Sequence, residues 1–263
     1  MSSKTLLLVA GAVLLVLPAA KAQAPAAPAA AEEAKTTPLA PPPEARPQPL
    51  TPEKRGDIFM ARKMHREAIE QYSKCPQTAV ILNKMGIAYH QMNNLDTAKK
   101  FYERAIRKDK KYPEAVNNLG TIHYAKRSYR RAVNQYKKAL KLSPNSASIY
   151  SNLGTAYFAR KQYKEAAEAY QQALTLDPDV FERKSTYGVL LQERNIEERA
   201  KFYYYLAKVY AQAGATDRAL LYIRKALEEG FKDRKKFMEE PEFATLQELA
   251  EFKELMATEY RVL

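Results

Sequence analysis

The sequence predicts an all-α fold built from a repeated unit, and three observations carry that expectation. The chain holds only eight glycines among 263 residues and shows no alternating apolar/polar runs, which argues against sheets. Apolar residues make up 46% and charged residues 28%, enough to bury a helical core. Gly86, Gly120 and Gly154 recur at intervals of 34 residues, and other columns move with them.

Taken from the start, residues 1–22 read as a secretory signal. Lys4 precedes the apolar run Leu6 to Leu17, and small residues follow around Ala20, Ala22 and Ala24. A dozen apolar residues is short of the roughly 20 that a spanning helix needs, so cleavage is expected, with an uncleaved inner-membrane anchor as the alternative. No cysteine stands near the cleavage site, which excludes the lipid-anchored kind of signal. The expected location is the periplasm or cell envelope.

Residues 23–50 are dominated by alanine and proline, as in Pro41-Pro42-Pro43 and Pro47-Gln48-Pro49. Proline fixes extended backbone, and alanine offers too little apolar area to offset ordering entropy. A semi-rigid, largely disordered spacer is expected. Cys75 is the only cysteine, so no intramolecular disulfide can form, and it reads as a small buried residue on a helix.

The repeat occupies residues 51–233. Met85, Leu119 and Leu153 precede the glycines; Tyr89, His123 and Tyr157 follow them by three. Alanine columns run through Ala98, Ala132, Ala166 and Ala105, Ala139, Ala173, with Tyr102, Tyr136 and Tyr170 between them. Pro144 and Pro178 close two units. These columns resemble the tetratricopeptide repeat (TPR) family, in which each unit is a pair of antiparallel helices. Glycine and alanine allow close helix approach, aromatic and leucine side chains fill the space, and proline stops the second helix.

An earlier unit (Gly56, Phe59, Ala68, Tyr72) lies 30 residues before the next, with Cys75 in its second alanine column. A later one (Leu206, Ala207, Tyr210, Gly214, Ala219, Ile223, Ala226, Leu227) has alanine in place of the glycine. The resemblance therefore implies a right-handed α-α superhelix, a TPR solenoid, of about five helix pairs with a concave groove. The pattern breaks near residues 181–195, which read as an irregular insertion containing Val189-Leu190-Leu191, a sixth repeat being the alternative. Residues 234–263, with Phe237, Pro241 to Leu246 and Ala250 to Leu255, resemble the C-terminal capping helices that cover the last repeat of such stacks.

The sequence carries no motif for chemistry. His65, His90 and His123 stand apart, and His123 occupies a column otherwise filled by Tyr89 and Tyr157, which favours packing. Phosphate loops, nucleophile elbows and metal-type spacings are missing. The expectation is a non-enzyme with no catalytic, cofactor-binding or metal residues, no cofactor and no small-molecule substrate.

The resemblance implies that first helices line the groove. That rule selects Asn83, Ile87 and His90, then Asn117, Asn118, Thr121 and Tyr124, then Ser151, Asn152, Thr155 and Phe158 as peptide-binding candidates free of packing duty. His90, Tyr124 and Phe158 recur every 34 residues as a ring-bearing ladder flanked by amides and hydroxyls, suited to an extended peptide or partner helix. A packing role for the ladder, and a turn-bracing role for Asn118 and Asn152, remain open beside it. The family's clamp for chaperone carboxylates needs lysine, asparagine and arginine on successive groove helices. Here Asn118 fits, but Asn83 and Ile87 precede it and Ser148 and Asn152 follow it, so that mode is argued against.

The net charge of +13 is concentrated. From Lys99 to Lys141 fourteen basic residues face only Glu103, Asp109 and Glu114, a net +11. Lys99, Lys100, Arg104, Arg107, Arg130, Arg131, Lys137 and Lys138 form the expected basic patch, facing away from the groove. Two readings stand: solubility and orientation, or recruitment of an anionic partner such as lipid headgroups, envelope polymer or an acidic protein. Export argues against nucleic acid as the partner. The leading expectation is a scaffold for a protein or peptide, and the alternative is charge-driven binding of anionic lipid or envelope polymer through the convex face.

Overall fold

The computed structural model describes residues 49–182 and 196–260. The signal, nearly all of the proline-rich spacer and all but the start of the insertion lie outside the described residues. From residue 49 onward the described chain belongs to one compact unit and contains no strand.

Ten helices form five successive antiparallel pairs. They are α1 (Pro52–Ala61) with α2 (His65–Ser73), α3 (Ala79–Gln91) with α4 (Leu95–Lys108), and α5 (Pro113–Ala125) with α6 (Tyr129–Leu142). Then follow α7 (Ala147–Ala159) with α8 (Tyr163–Leu176) and α9 (Ile196–Gln212) with α10 (Thr216–Glu228). The helix after the insertion is thus the first of a pair, and its partner follows directly. No described helix is long and apolar enough to cross a membrane.

Each pair closes on one contact. A side-chain carbon added to Gly56, Gly86, Gly120 or Gly154 would sit 2.4 to 2.6 Å from the ring of Tyr72, Tyr102, Tyr136 or Tyr170 respectively. All four rings are fully buried. The glycine column is therefore a seat for the tyrosine sixteen residues on, and any larger residue would collide with it. In the fifth pair the same two positions hold Ala207 and Ile223, both fully buried. Where the ring is replaced by a slimmer aliphatic chain, the seat is filled by a methyl group.

The turn inside each pair is also fixed. Lys63, Asn93, Arg127, Lys161 and Gly214 all adopt left-handed backbone, with φ between 54° and 70°. The next residue donates its N–H back to the aromatic column, as in Asn94 to Tyr89 O, Ser128 to His123 O and Gln162 to Tyr157 O. This closes the first helix in the manner usually reserved for glycine. Only the last turn uses glycine; the others carry the left-handed strain on ordinary residues.

The end of the stack is covered by α11 (Lys236–Glu239), a 3-10 turn (Pro241–Leu246) and α12 (Ala250–Ala257). They bury Phe237, Phe243, Leu246, Phe252 and Leu255 against the core that also contains Tyr204. Rings of Phe237 and Phe243 meet at 5.2 Å, and Tyr204 stacks on Phe231 at 4.5 Å. One expectation is corrected here. Cys75 is not on a helix: it lies beyond the end of α2, half buried, with its thiol near Gln71 O at 3.6 Å.

Candidate peptide-binding face

The candidates on the first helices separate into two groups. Asn83, Ile87, Asn117, Asn118, Thr121, Asn152, Thr155 and Phe158 are all buried, whereas His90, Tyr124 and Ser151 are partly exposed. Freedom from packing duty, expected for all eleven, is therefore wrong for the first eight, and the contacts show why.

The asparagines form a ladder through the array. Asn118 Nδ2 donates to Asn83 Oδ1 at 3.0 Å, and Asn152 Nδ2 donates to Asn117 Oδ1 at 3.0 Å. Asn117 Nδ2 reaches Asn118 Oδ1 at 3.4 Å, and Asn83 Nδ2 reaches the Tyr112 hydroxyl at 3.4 Å. Amides from α3, α5 and α7 are thus joined in one continuous run. A buried amide without a partner is costly, so each asparagine fixes the offset between its helix and the neighbouring first helix. The bracing is between helices, not within a turn.

Thr121 and Thr155 serve the tyrosine seats. Each follows a seat glycine and accepts from its tyrosine, Tyr136 Oη at 3.3 Å and Tyr170 Oη at 3.4 Å. Burial raises the Tyr136 phenol well above its ordinary pKa, outweighing the opposing effect of its bond with Thr121. In the first pair Asp57 takes the same place, accepting from Tyr72 Oη at 2.7 Å. Lys84 reaches Asp57 and Glu53 at 2.8 and 2.7 Å, tying α3 back to α1. Burial alone would lower the Lys84 pKa, but the two carboxylates outweigh it and leave it raised.

The aromatic ladder changes character along its length. Tyr124 meets the ring of Tyr129 at 5.2 Å. Phe158 is enclosed by Tyr163, Phe202 and Tyr205 at 5.3, 5.6 and 5.9 Å, and Tyr163 stacks on Tyr205 at 4.9 Å. Tyr170 and Phe181 add a further edge contact at 5.3 Å. Where α9 packs against α7 and α8 the contact is made by rings, and this closes the ladder at its third rung.

His123 is half buried on the aromatic column, where burial first and then Lys99 and Arg131 push its pKa down. The three histidines do not meet, and no group of three or more metal-ligating side chains occurs among the described residues. Sequence reasoning did not single out one further recess. A groove of about 840 Å3 lies where Tyr150, Leu153 and Tyr157 of α7 approach α8 and Tyr205 and Lys208 of α9. Lys208 there is already held by Glu240 and Glu242 at 2.9 and 3.2 Å.

Two family models described as tetratricopeptide repeat match the sequence, one over residues 53–111 and the other over residues 117–180 and 190–233. The chain belongs to the tetratricopeptide-repeat family. Together the matches span more than half of it, and the second takes in α9 and α10, the pair that lacks the glycine. No curated protein matches the sequence. Among solved structures, a crystal structure of MamA is 23% identical, with a TM-score of 0.46, over 68% of this chain and 96% of that one. MamA residues 41 to the end from Desulfovibrio magneticus RS-1 are 18% identical, with a TM-score of 0.46, over 68% of this chain and 92% of that one. The first TPR of Spaghetti (RPAP3) bound to the HSP90 peptide SRMEEVD is 26% identical, with a TM-score of 0.39, over 40% of this chain and 82% of that one. The TPR fold supplies a scaffold for protein or peptide partners, and basic residues of this array stand outside the first-helix face. Of the patch, Lys100, Arg104, Arg107, Arg130, Arg131, Lys137 and Lys138 are exposed, while Lys99 is half buried and pairs with Glu103 at 3.0 Å.

Proposed function

We propose that the chain is an exported, non-catalytic TPR scaffold that seats an extended peptide or a partner helix against His90, Tyr124 and Ser151. The observation that supports this is the division of the first-helix face. Seven candidates are absorbed by the amide ladder, the tyrosine seats and the ring cluster and Ile87 by the apolar core with Leu119 and Ile122, while these three are partly exposed on α3, α5 and α7. Two rings one repeat apart offer apolar faces, and a neighbouring hydroxyl can pair with the backbone of an extended guest. Export rests on the layout of residues 1–22 and places the scaffold in the periplasm or cell envelope, where the proline-rich spacer would give it reach.

The test is to pan a random-peptide display library against the full chain, then measure the selected peptides on His90→Ala/Tyr124→Ala. The reading expects peptides whose affinity falls at least about tenfold on the double variant, as loss of two aromatic anchors should produce. Peptides that bind the variant as well as the parent would contradict the assignment of this face.

A further inference from the structure

On the second-helix side, a groove of about 600 Å3 lies between α4, α5 and α6. Its floor is apolar: Ile106, Val116, Leu119 and Leu142, the last 39% exposed. Its rim carries Arg107, Lys110, Lys138 and Lys141, all exposed, against one carboxylate, Glu103, which Lys99 holds at 3.0 Å. None of the four forms an ion pair among the described residues; in this stretch the pairs belong to Lys99 and Lys126. The repeat does not require three of these charges, although the position of Arg107 is basic again one unit later, as Lys141. One unit later the positions of Lys110, Lys138 and Lys141 are held by Pro144, Gln172 and Thr175.

The opposite chemistry sits on the C-terminal cap. Residues 234–263 hold seven glutamates against Arg234, Lys235, Lys236, Lys253 and Arg261, a net charge of −2, and all seven glutamates lie beyond Met238. Glu239, Glu248 and Glu254 are exposed, and Met238 projects with 52% of its surface open, the most exposed large apolar side chain described. Gln247 Nε2 donates to Met238 O at 2.8 Å, which ties the backbone at Met238 to the residue before Glu248. Lys235 and Lys236 precede Met238, Lys236 pairing with Asp233 at 3.5 Å, and Lys253 lies 3.3 Å from Glu248, so the cap offers one protruding apolar side chain among charges in which carboxylates outnumber cations. The groove offers an apolar recess set among cations.

We propose that the cap of one copy docks in the groove of a second, with Met238 on the floor and Glu239 and Glu248 against the rim. A flat lipid surface would meet the rim but not reach the recessed floor, whereas a projecting side chain can reach it. Both copies are net positive, but at about 0.1 M salt the screening length is about 10 Å, so charges near the contact dominate. Because groove and cap are different surfaces, the contact is heterologous. Each copy in a pair keeps one unused groove or cap, and assembly proceeds head to tail.

Sedimentation velocity of the full chain tests this in about 0.1 M and about 1 M salt. The expected result is concentration-dependent growth beyond a dimer at low salt, with apparent affinity weakened at least about tenfold at high salt. Two variants, the neutralising Lys138→Ala/Lys141→Ala and the charge-reversing Glu239→Lys/Glu248→Lys, alter exposed side chains only and are not complementary to each other at their changed surfaces, and each alone should be monomeric. Mixed one to one, the intact cap of the first should meet the intact groove of the second, giving a dimer and nothing larger. A wild-type chain that stays monomeric, self-association indifferent to salt, or a mixture that yields no dimer would overturn the proposal. Association lost in the groove variant but retained in the cap variant would also overturn it, since the occupant would then be something other than the cap.

Discussion

The α3-to-α8 stretch and the α9–α10 pair solve one packing problem with different side chains. In the former, a glycine seats a fully buried tyrosine, the phenol is satisfied by the residue after the glycine in two units, and an amide ladder joins successive first helices. In the latter, Ala207 faces Ile223, and rings of Phe158, Phe202 and Tyr205 fill the approach from the preceding unit. Hydrogen bonds demand one offset between helices, so they suit units that repeat faithfully. Rings tolerate many edge and stacked arrangements, so they suit a junction the insertion has made irregular.

The comparison can be broken at the seat. Gly120→Ala places a methyl group against the Tyr136 ring and should cost about 3 kcal/mol in urea unfolding, since overpacking a full core forces rings off their rotamers. Adding Tyr136→Ile to that variant recreates the fifth unit's pair and should recover part of the loss. If the double variant is less stable than the sum of the two singles, the exchange seen at Ala207 and Ile223 has another cause.

The ladder comes next in size. Asn117→Ala removes the acceptor for Asn152 and a donor to Asn118, and should destabilise by about 2 kcal/mol by chemical denaturation. No such penalty is expected from an alanine at the exposed Glu197 of α9, which has no place in the ladder.

Smaller still is the turn. Arg127→Gly relieves left-handed strain where Gly214 already does so, and should raise stability by about 0.5 kcal/mol once glycine's greater chain entropy is counted. The smallest effect concerns pH. His123 has its pKa lowered in the folded state, so the unfolded chain binds the proton more readily, and stability should fall as pH drops through the ordinary histidine value of about 6.5. His123→Tyr, the residue of its column neighbours, should flatten that part of a melting-temperature profile.

Much of the fold was legible because each column has a physical reason to recur. Gly120 and Tyr136 cannot change independently, and the turn at Arg127 sets where the second helix starts. The exchange of Gly and Tyr for Ala207 and Ile223 was present in the sequence as two simultaneous departures from the pattern. The asparagine ladder left a fainter signal: Asn83 and Asn117 share one column and Asn118 and Asn152 the next, but the bonds run between the columns, at a separation of 35. The burial of Phe158 was not legible, because it depends on how α9 returns to the stack, and periodicity carries no information across the insertion.

Tyr124 and Phe158 occupy the same column and are assigned opposite duties, so melting Tyr124→Ala and Phe158→Ala side by side tests the account most directly. Phe158→Ala removes a ring packed against three others and should cost about 4 kcal/mol, whereas Tyr124→Ala should cost about 1 kcal/mol and instead weaken binding of the peptides selected on the parent chain. Equal losses of stability, with peptide capture unchanged in Tyr124→Ala, would contradict the division of that face into a packed end and a binding end.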